Sequence, residues 1–216
     1  MSVSLDVGLM EEGGVVAAVS ISLFLDEVQF AVWVLMKDGL SVPPFNAHGP
    51  GDLSFSAAGL TGADWLMWLR TMVEAHSSPW PAPNQSGRHV SARIGNPMDF
   101  WPGPTHTRTR LALAWQEYND AKKLAMRNLL QERRRMIQRA MVDPSSLQRD
   151  LPAPREATEL LYSVAYPKII YHPVAPWAVI MSDLGHNLDD GSYLIMLREA
   201  VRSLRTGAWP ANHSKA

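Results

Sequence analysis

Seven cationic side chains crowd into eighteen residues near the middle of the chain: Lys122, Lys123, Arg127, Arg133, Arg134, Arg135 and Arg139. Lys123 and Arg127 are four residues apart, as are Arg135 and Arg139, so on a helix each pair shares a face. Guanidinium groups presented that way can hold phosphates or carboxylates through paired hydrogen bonds. Quieter roles exist for the same residues. Cations near a helix C-terminus complement its dipole, and Glu132 sits inside the run. The partner can also be the chain's own acidic region, within one molecule or across subunits. Net charge is −7 over residues 1–87, +7 over residues 88–139 and −1 over residues 140–216. Segregation of this kind says more about partners than the total of −1 does. A dedicated DNA-binding domain is usually basic as a whole. No zinc-finger spacing, RNP-like aromatic pattern or helix-turn-helix is present. The expected partner is therefore a protein or a second copy of the chain, with nucleic acid as the alternative.

Other chemistry is harder to find. Asp183, His186, Asn187, Asp189 and Asp190 lie within nine residues and suggest metal ligands. A calcium loop, however, needs Asp or Asn at positions one, three and five and Gly at six. Here Gly185 and Leu188 occupy the third and sixth positions. A helix cap on Asp189 or Asp190 with a turn at Gly185 and Asn187 accounts for the stretch. The seven histidines are scattered and form no HExxH pair. There is no GxSxG elbow, Walker loop or GxGxxG. With no cysteine, thiol nucleophiles, thiolate metal sites and disulfides are excluded. His48, close to Asp52 in a Gly-rich loop, and His186 are where a dispersed active site would be sought. No metal or cofactor is expected.

Eight tryptophans are many for 216 residues. Trp65 and Trp68 fit a helix core. Trp80, Trp101, Trp177 and Trp209 each adjoin a proline in an expected loop, where aromatics are typical of interfaces. Trp80 and Trp101 belong to Ser77–Pro104, a long stretch rich in Pro, Ser, Asn and Gly. It reads as an arm, packed on its own domain or reaching a neighbouring subunit. Trp80 and Trp101 therefore join the seven cations as candidate partner contacts.

These residues need elements to position them. Val3, Leu5, Val7 and Leu9 alternate with small or polar residues, as do Val19, Ile21, Leu23 and Leu25 across a Glu-Glu-Gly-Gly turn, giving two strands. Val28, Phe30, Val32, Val34 and Met36 continue the alternation as a third, stopped by Lys37-Asp38-Gly39. Leu53, Phe55 and Ala57 suggest a fourth. Thr61 caps a helix running to about His76. Residues 107–141 lack Gly and Pro and are rich in helix formers, so they predict one helix roughly 50 Å long. Its two apolar stripes imply contact with more than one neighbour. A short helix is expected over 155–164, strands over 168–171 and 178–181 with prolines limiting them to edges or bulges, and an amphipathic helix after Asp189-Asp190-Gly191.

The fold class that follows is α+β: an N-terminal antiparallel β-meander of three to four strands packed with helices, one long central helix, and a C-terminal β-β-α unit. Its divisions are 1–76, a Pro/Trp-rich arm or linker at 77–106, the basic helix at 107–142 and a mixed part at 143–216, all in one domain. Hydrophobic residues at 46% and charged residues at 19% are ordinary for a globular core. The apolar stretch Val15–Met36 is long enough to span a bilayer but carries Asp26 and Glu27 at its centre, so no membrane segment is expected. The N-terminus lacks a basic region of signal-peptide type, and a cytoplasmic location is expected. The reading that best fits is a non-enzymatic structural or adaptor protein that self-associates or docks in a larger assembly. A nucleic-acid-associated regulator and an enzyme with a dispersed histidine site are the alternatives.

Overall fold

The computed structural model describes residues 3–8, 18–23, 26–40, 42, 43, 45, 60–79, 88–90, 95–120, 135, 150–155, 158–184 and 187–209. Its centre is a mixed sheet in the order β1-β2-β5-β7-β6, built from β1 (Val3–Gly8), β2 (Ala18–Leu23), β5 (Thr158–Ala165), β7 (Ala178–Leu184) and β6 (Tyr171–Ala175). β1 and β2 pair antiparallel, with Val3 opposite Leu23. β2 and β7 each run parallel to β5, and β6 returns antiparallel on β7. A separate pair, β3 (Ser77–Pro79) and β4 (Arg88–Val90), lies within the expected arm. The α+β class holds, and the sheet unites both ends of the chain.

The third meander strand does not exist. Asp26–Lys37 is a helix, α1, buried continuously from Glu27 to Leu35. A helix covered on every side carries no polar stripe, so its apolar run looks like a strand covered on both faces. Asp26 and Glu27 in the first turn and Lys37 in the last suit the helix dipole. The Lys37-Asp38-Gly39 stop is real but ends a helix. The Leu40 N–H donates to the Leu35 carbonyl and that of Gly39 (φ 65°) to the Met36 carbonyl, a Schellman ending that needs the left-handed glycine. The suggested fourth strand at 53–57 lies outside the described residues.

The helix expected over 155–164 is also corrected, because β5 occupies that segment. It is buried from Thr158 to Val164, so it too lacks a polar face to reveal its period. Among the described residues the C-terminal unit is thus three strands and a helix. β6 runs over Tyr171–Ala175 and not 168–171, with Pro173 inside the strand; it lies at the sheet edge as its prolines led one to expect, whereas β7 lies inside the sheet.

Helix α2 (Gly62–His76) starts at a capping box, in which Thr61 Oγ1 accepts from the Asp64 N–H and Asp64 Oδ2 from the Thr61 N–H. The final helix, α4 (Asp190–Thr206), begins where Asp189 Oδ1 accepts from the Ser192 N–H at 2.7 Å and ends at Gly207 in the left-handed region. The cap reading of Asp189 holds. α3 is described over residues 105–120, and Arg135 is also helical. The remainder of the expected 107–141 rod lies outside the described residues. Among the described residues, no helix is long and apolar enough to cross a membrane.

Two cores flank the sheet. Leu160, Tyr162, Val164, Ala178 and Ile180 join the larger one with α1, α2 and α3. Leu161, Val179 and Met181 point the other way into the smaller one with α4. Alternate residues of β5 and β7 therefore serve opposite layers, as the two-residue strand period requires.

Candidate functional site

A cleft of about 650 Å³ opens where α2, the β6–β7 turn and the end of α4 converge. Its floor is dry. Trp177 is 5% exposed, and Ser203 and Leu204 are buried beside it. Its rim is charged, with Arg70 and Glu74 coming from successive turns of α2 and Arg155 from the segment before β5. Trp209, half-buried, closes one side.

Local structure fixes these groups. Capping-box initiation and the buried stripe of Trp65, Trp68, Leu69, Met72 and Val73 set the roll of α2, leaving Arg70 and Glu74 on its exposed side. The two are four residues apart, with the cation first, the weaker order for a helical pair. Arg70 forms no ion pair among the described residues. Arg155 donates from Nη2 to the Thr206 carbonyl at 2.9 Å, capping the negative end of α4. Its Nη1 would meet a Cβ placed on Gly207 at 3.5 Å, ordinary contact, so the positive φ of Gly207 is what keeps that position glycine. Pro173 and Pro176 line the cleft without contributing N–H donors.

Beneath the rim, His172 packs against Phe45 and Trp65, with ring centroids 5.1 and 6.4 Å away. Burial, and then the positive charge of Arg70, lowers its pKa to about 4, so it is neutral at physiological pH. The buried His76 is held by Tyr162, Nδ1 to hydroxyl at 2.9 Å. Both histidines belong to the packing between α2 and the sheet rather than to an open site.

Of the residues singled out in the sequence, Trp177 and Trp209 line this cleft. Arg135 is exposed and helical. Lys122, Lys123, Arg127, Arg133, Arg134, Arg139 and Trp80 lie outside the described residues, as do His48, Asp52 and His186. Trp101 is 8% exposed and packs edge-on against Trp68 at 5.8 Å, with its indole N–H donating to the Pro104 carbonyl. Its ring packs into the chain's own core. Trp177 likewise lies under a turn. Comparison with protein-family models, curated proteins and solved structures finds no match for the chain. Among the described residues, no three His, Asp or Glu side chains are placed to hold a metal ion.

Sequence reasoning missed the cleft because its charged groups are far apart in the chain: Arg70 and Arg155 are 85 positions apart. One local signal was present. Pro173-Val174-Ala175-Pro176-Trp177 marks a stiff turn at a sheet edge with a large aromatic under it.

Proposed function

We propose that this chain is a non-enzymatic structural or adaptor protein that docks in a protein assembly, its own copies included, through the basic helix. The observation that supports it best is the one-sided seating of α3. Leu111, Ala114 and Tyr118 are buried, and Trp115 is partly so. Phe30 of α1 meets Trp115 at 4.8 Å and Tyr118 at 5.5 Å, and Trp33 meets Tyr118 at 5.8 Å. Such an aromatic clamp fixes the helix direction at its base, since each ring buries a large area and pairs add to that. The side of α3 turned away from this clamp is solvent-facing, with Leu113 60% exposed, and Arg108 at its edge pairs with Asp99. The chain leads from this anchored base into the dense cationic run, whose Arg135 is exposed. A rigidly based cationic element suits a docking role better than a mobile tail, because less ordering is needed on association.

Size-exclusion chromatography with light scattering tests the reading. The expected result is a mass at least twice the 24.0 kDa of one chain, falling to one chain when Arg133, Arg134 and Arg135 are all changed to Glu. A strict monomer at every concentration counts against self-association. Salt-sensitive binding of duplex DNA, lost in the same variant, would replace the proposal with the nucleic-acid reading.

A further inference from the structure

We infer that the cleft between α2, the β6–β7 turn and the end of α4 binds a small anion carrying a flat ring, of mononucleotide size. This goes beyond the docking role of the basic helix and uses none of its residues.

Size sets the class first. At about 650 Å³ the cleft falls within the range of roughly 300–1,000 Å³ typical of small-ligand sites. Charge sets the ligand's sign. The lining holds two guanidiniums and one carboxylate, and Arg70 is not spent in an ion pair among the described residues. Arg155 uses Nη2 on the Thr206 carbonyl, which anchors the side chain and leaves further N–H donors for a phosphate or carboxylate. The same bond offsets the negative end of α4, which would otherwise repel an anion here.

The rim also argues against a peptide. Strand addition to β6 needs a regular row of free N–H groups at the sheet edge. Pro173 within β6 and Pro176 after it remove donors from that row. The strong donors left for an anion are the guanidiniums. The walls then account for the ring. The half-buried Trp209 at one side offers an aromatic surface on which a planar group gains stacking contact, while Trp177, 5% exposed, is packed into the floor beneath. Glu74 contributes a discriminating element. Its charge disfavours polyanions, so a singly phosphorylated or carboxylated ligand fits best.

Isothermal titration of the full chain with AMP, indole-3-acetate, adenosine and inorganic phosphate tests this. AMP and indole-3-acetate separate a phosphate-bearing from a carboxylate-bearing source of the same chemistry, and binding of either supports the site. Adenosine and phosphate, each lacking one half of the chemistry, should bind at least about tenfold more weakly. Arg70→Ala should weaken the bound probe by about tenfold or more, the value of a charge-assisted hydrogen bond. Glu74→Gln should tighten it severalfold, which a merely structural role would not produce. Arg70 and Glu74 are exposed, so both variants should melt as the wild type does. The proposal is overturned if neither ring-bearing anion binds, if phosphate alone binds as tightly as AMP, or if Arg70→Ala leaves the affinity unchanged.

Discussion

The two sides of the sheet hide polar groups in opposite ways. On the side of α1, α2 and α3 the core is aromatic, and several of its polar atoms are borne by rings. Trp65 donates its indole N–H to the Ala31 carbonyl at 2.7 Å, Trp68 donates to the Pro97 carbonyl at 2.8 Å, and His76 meets Tyr162. Gln29 completes the set, its amide spanning both the N–H and the carbonyl of Ala165 where the β5–β7 register shifts. On the side of α4 the core is mostly aliphatic, and one ion pair is sealed beneath it. Arg205 grips Glu159 through Nε and Nη2, at 2.8–3.1 Å, with both side chains at most 3% exposed, and sends Nη1 to the Pro152 carbonyl. The first side spreads its polar demand over many neutral bonds. The second concentrates it in one charged contact that ties β5 to α4 and to the segment before β5. Concentration should make the second side fragile to single changes and tolerant of paired ones.

Glu159→Ala is the strongest test of that contrast. It leaves a guanidinium buried with a single carbonyl for a partner, which should cost about 3–5 kcal/mol in denaturant unfolding. Replacing both partners together, Glu159→Leu with Arg205→Met, should restore stability to near the wild-type value, since a buried pair and an apolar pair of similar volume differ little. If Glu159→Ala were as mild as a surface change, the ion pair would not be what joins β5 to α4.

The aromatic side should reveal itself through pH instead. His172 titrates near 4 in the folded chain but close to 6.5 when unfolded. Between those values the unfolded chain binds the proton more readily, so stability is intact above pH 6.5 and declines as the pH falls towards 4. The loss amounts to about 3 kcal/mol at the acid end. His172→Phe, placed among Phe45 and Trp65, should remove this slope while keeping the ring contacts. Urea unfolding at several pH values between 7 and 4 reads the difference, and identical slopes in the two proteins would assign the acid sensitivity elsewhere.

The same contrast explains what was legible in the sequence. α2 and α4 could be read because they are half-exposed: polar faces preserve the helical period, and Thr61 and Asp189 mark the starts in residue type alone. β1 and β2 could be read from strict alternation. α1 and β5 could not, because both are enclosed, and enclosure removes the polar face that tells a period of 3.6 from a period of 2. Val28, Phe30, Val32 and Val34 alternate as a strand would, yet the α1 ending at Leu35, Met36, Gly39 and Leu40 is purely helical. The burial of Trp101 agrees with one of the two readings of the arm, that it packs on its own domain, but nothing local places the ring against Trp68. The cleft was illegible for a related reason. Arg70, Arg155 and Trp209 meet only once the sheet has joined the two ends of the chain.

The smallest effect tests whether the aromatic side is as fully satisfied as its tryptophans suggest. Tyr118 is 2% exposed, and its hydroxyl finds no hydrogen-bond partner among the described residues. Burial, followed by the charges of Asp26 and Glu27, pushes its ionisation far above the usual range, so it remains a neutral and unanswered donor. The ring itself is well used, stacked on Trp115 at 5.6 Å and close to Phe30 and Trp33. Tyr118→Phe keeps those contacts and deletes only the hydroxyl. Because an unmet buried donor costs more than an absent one, the variant should be more stable by about 1 kcal/mol. A loss of similar size would mean that the hydroxyl is answered after all, and that the clamp holding α3 on α1 relies on a polar contact as well as on its rings.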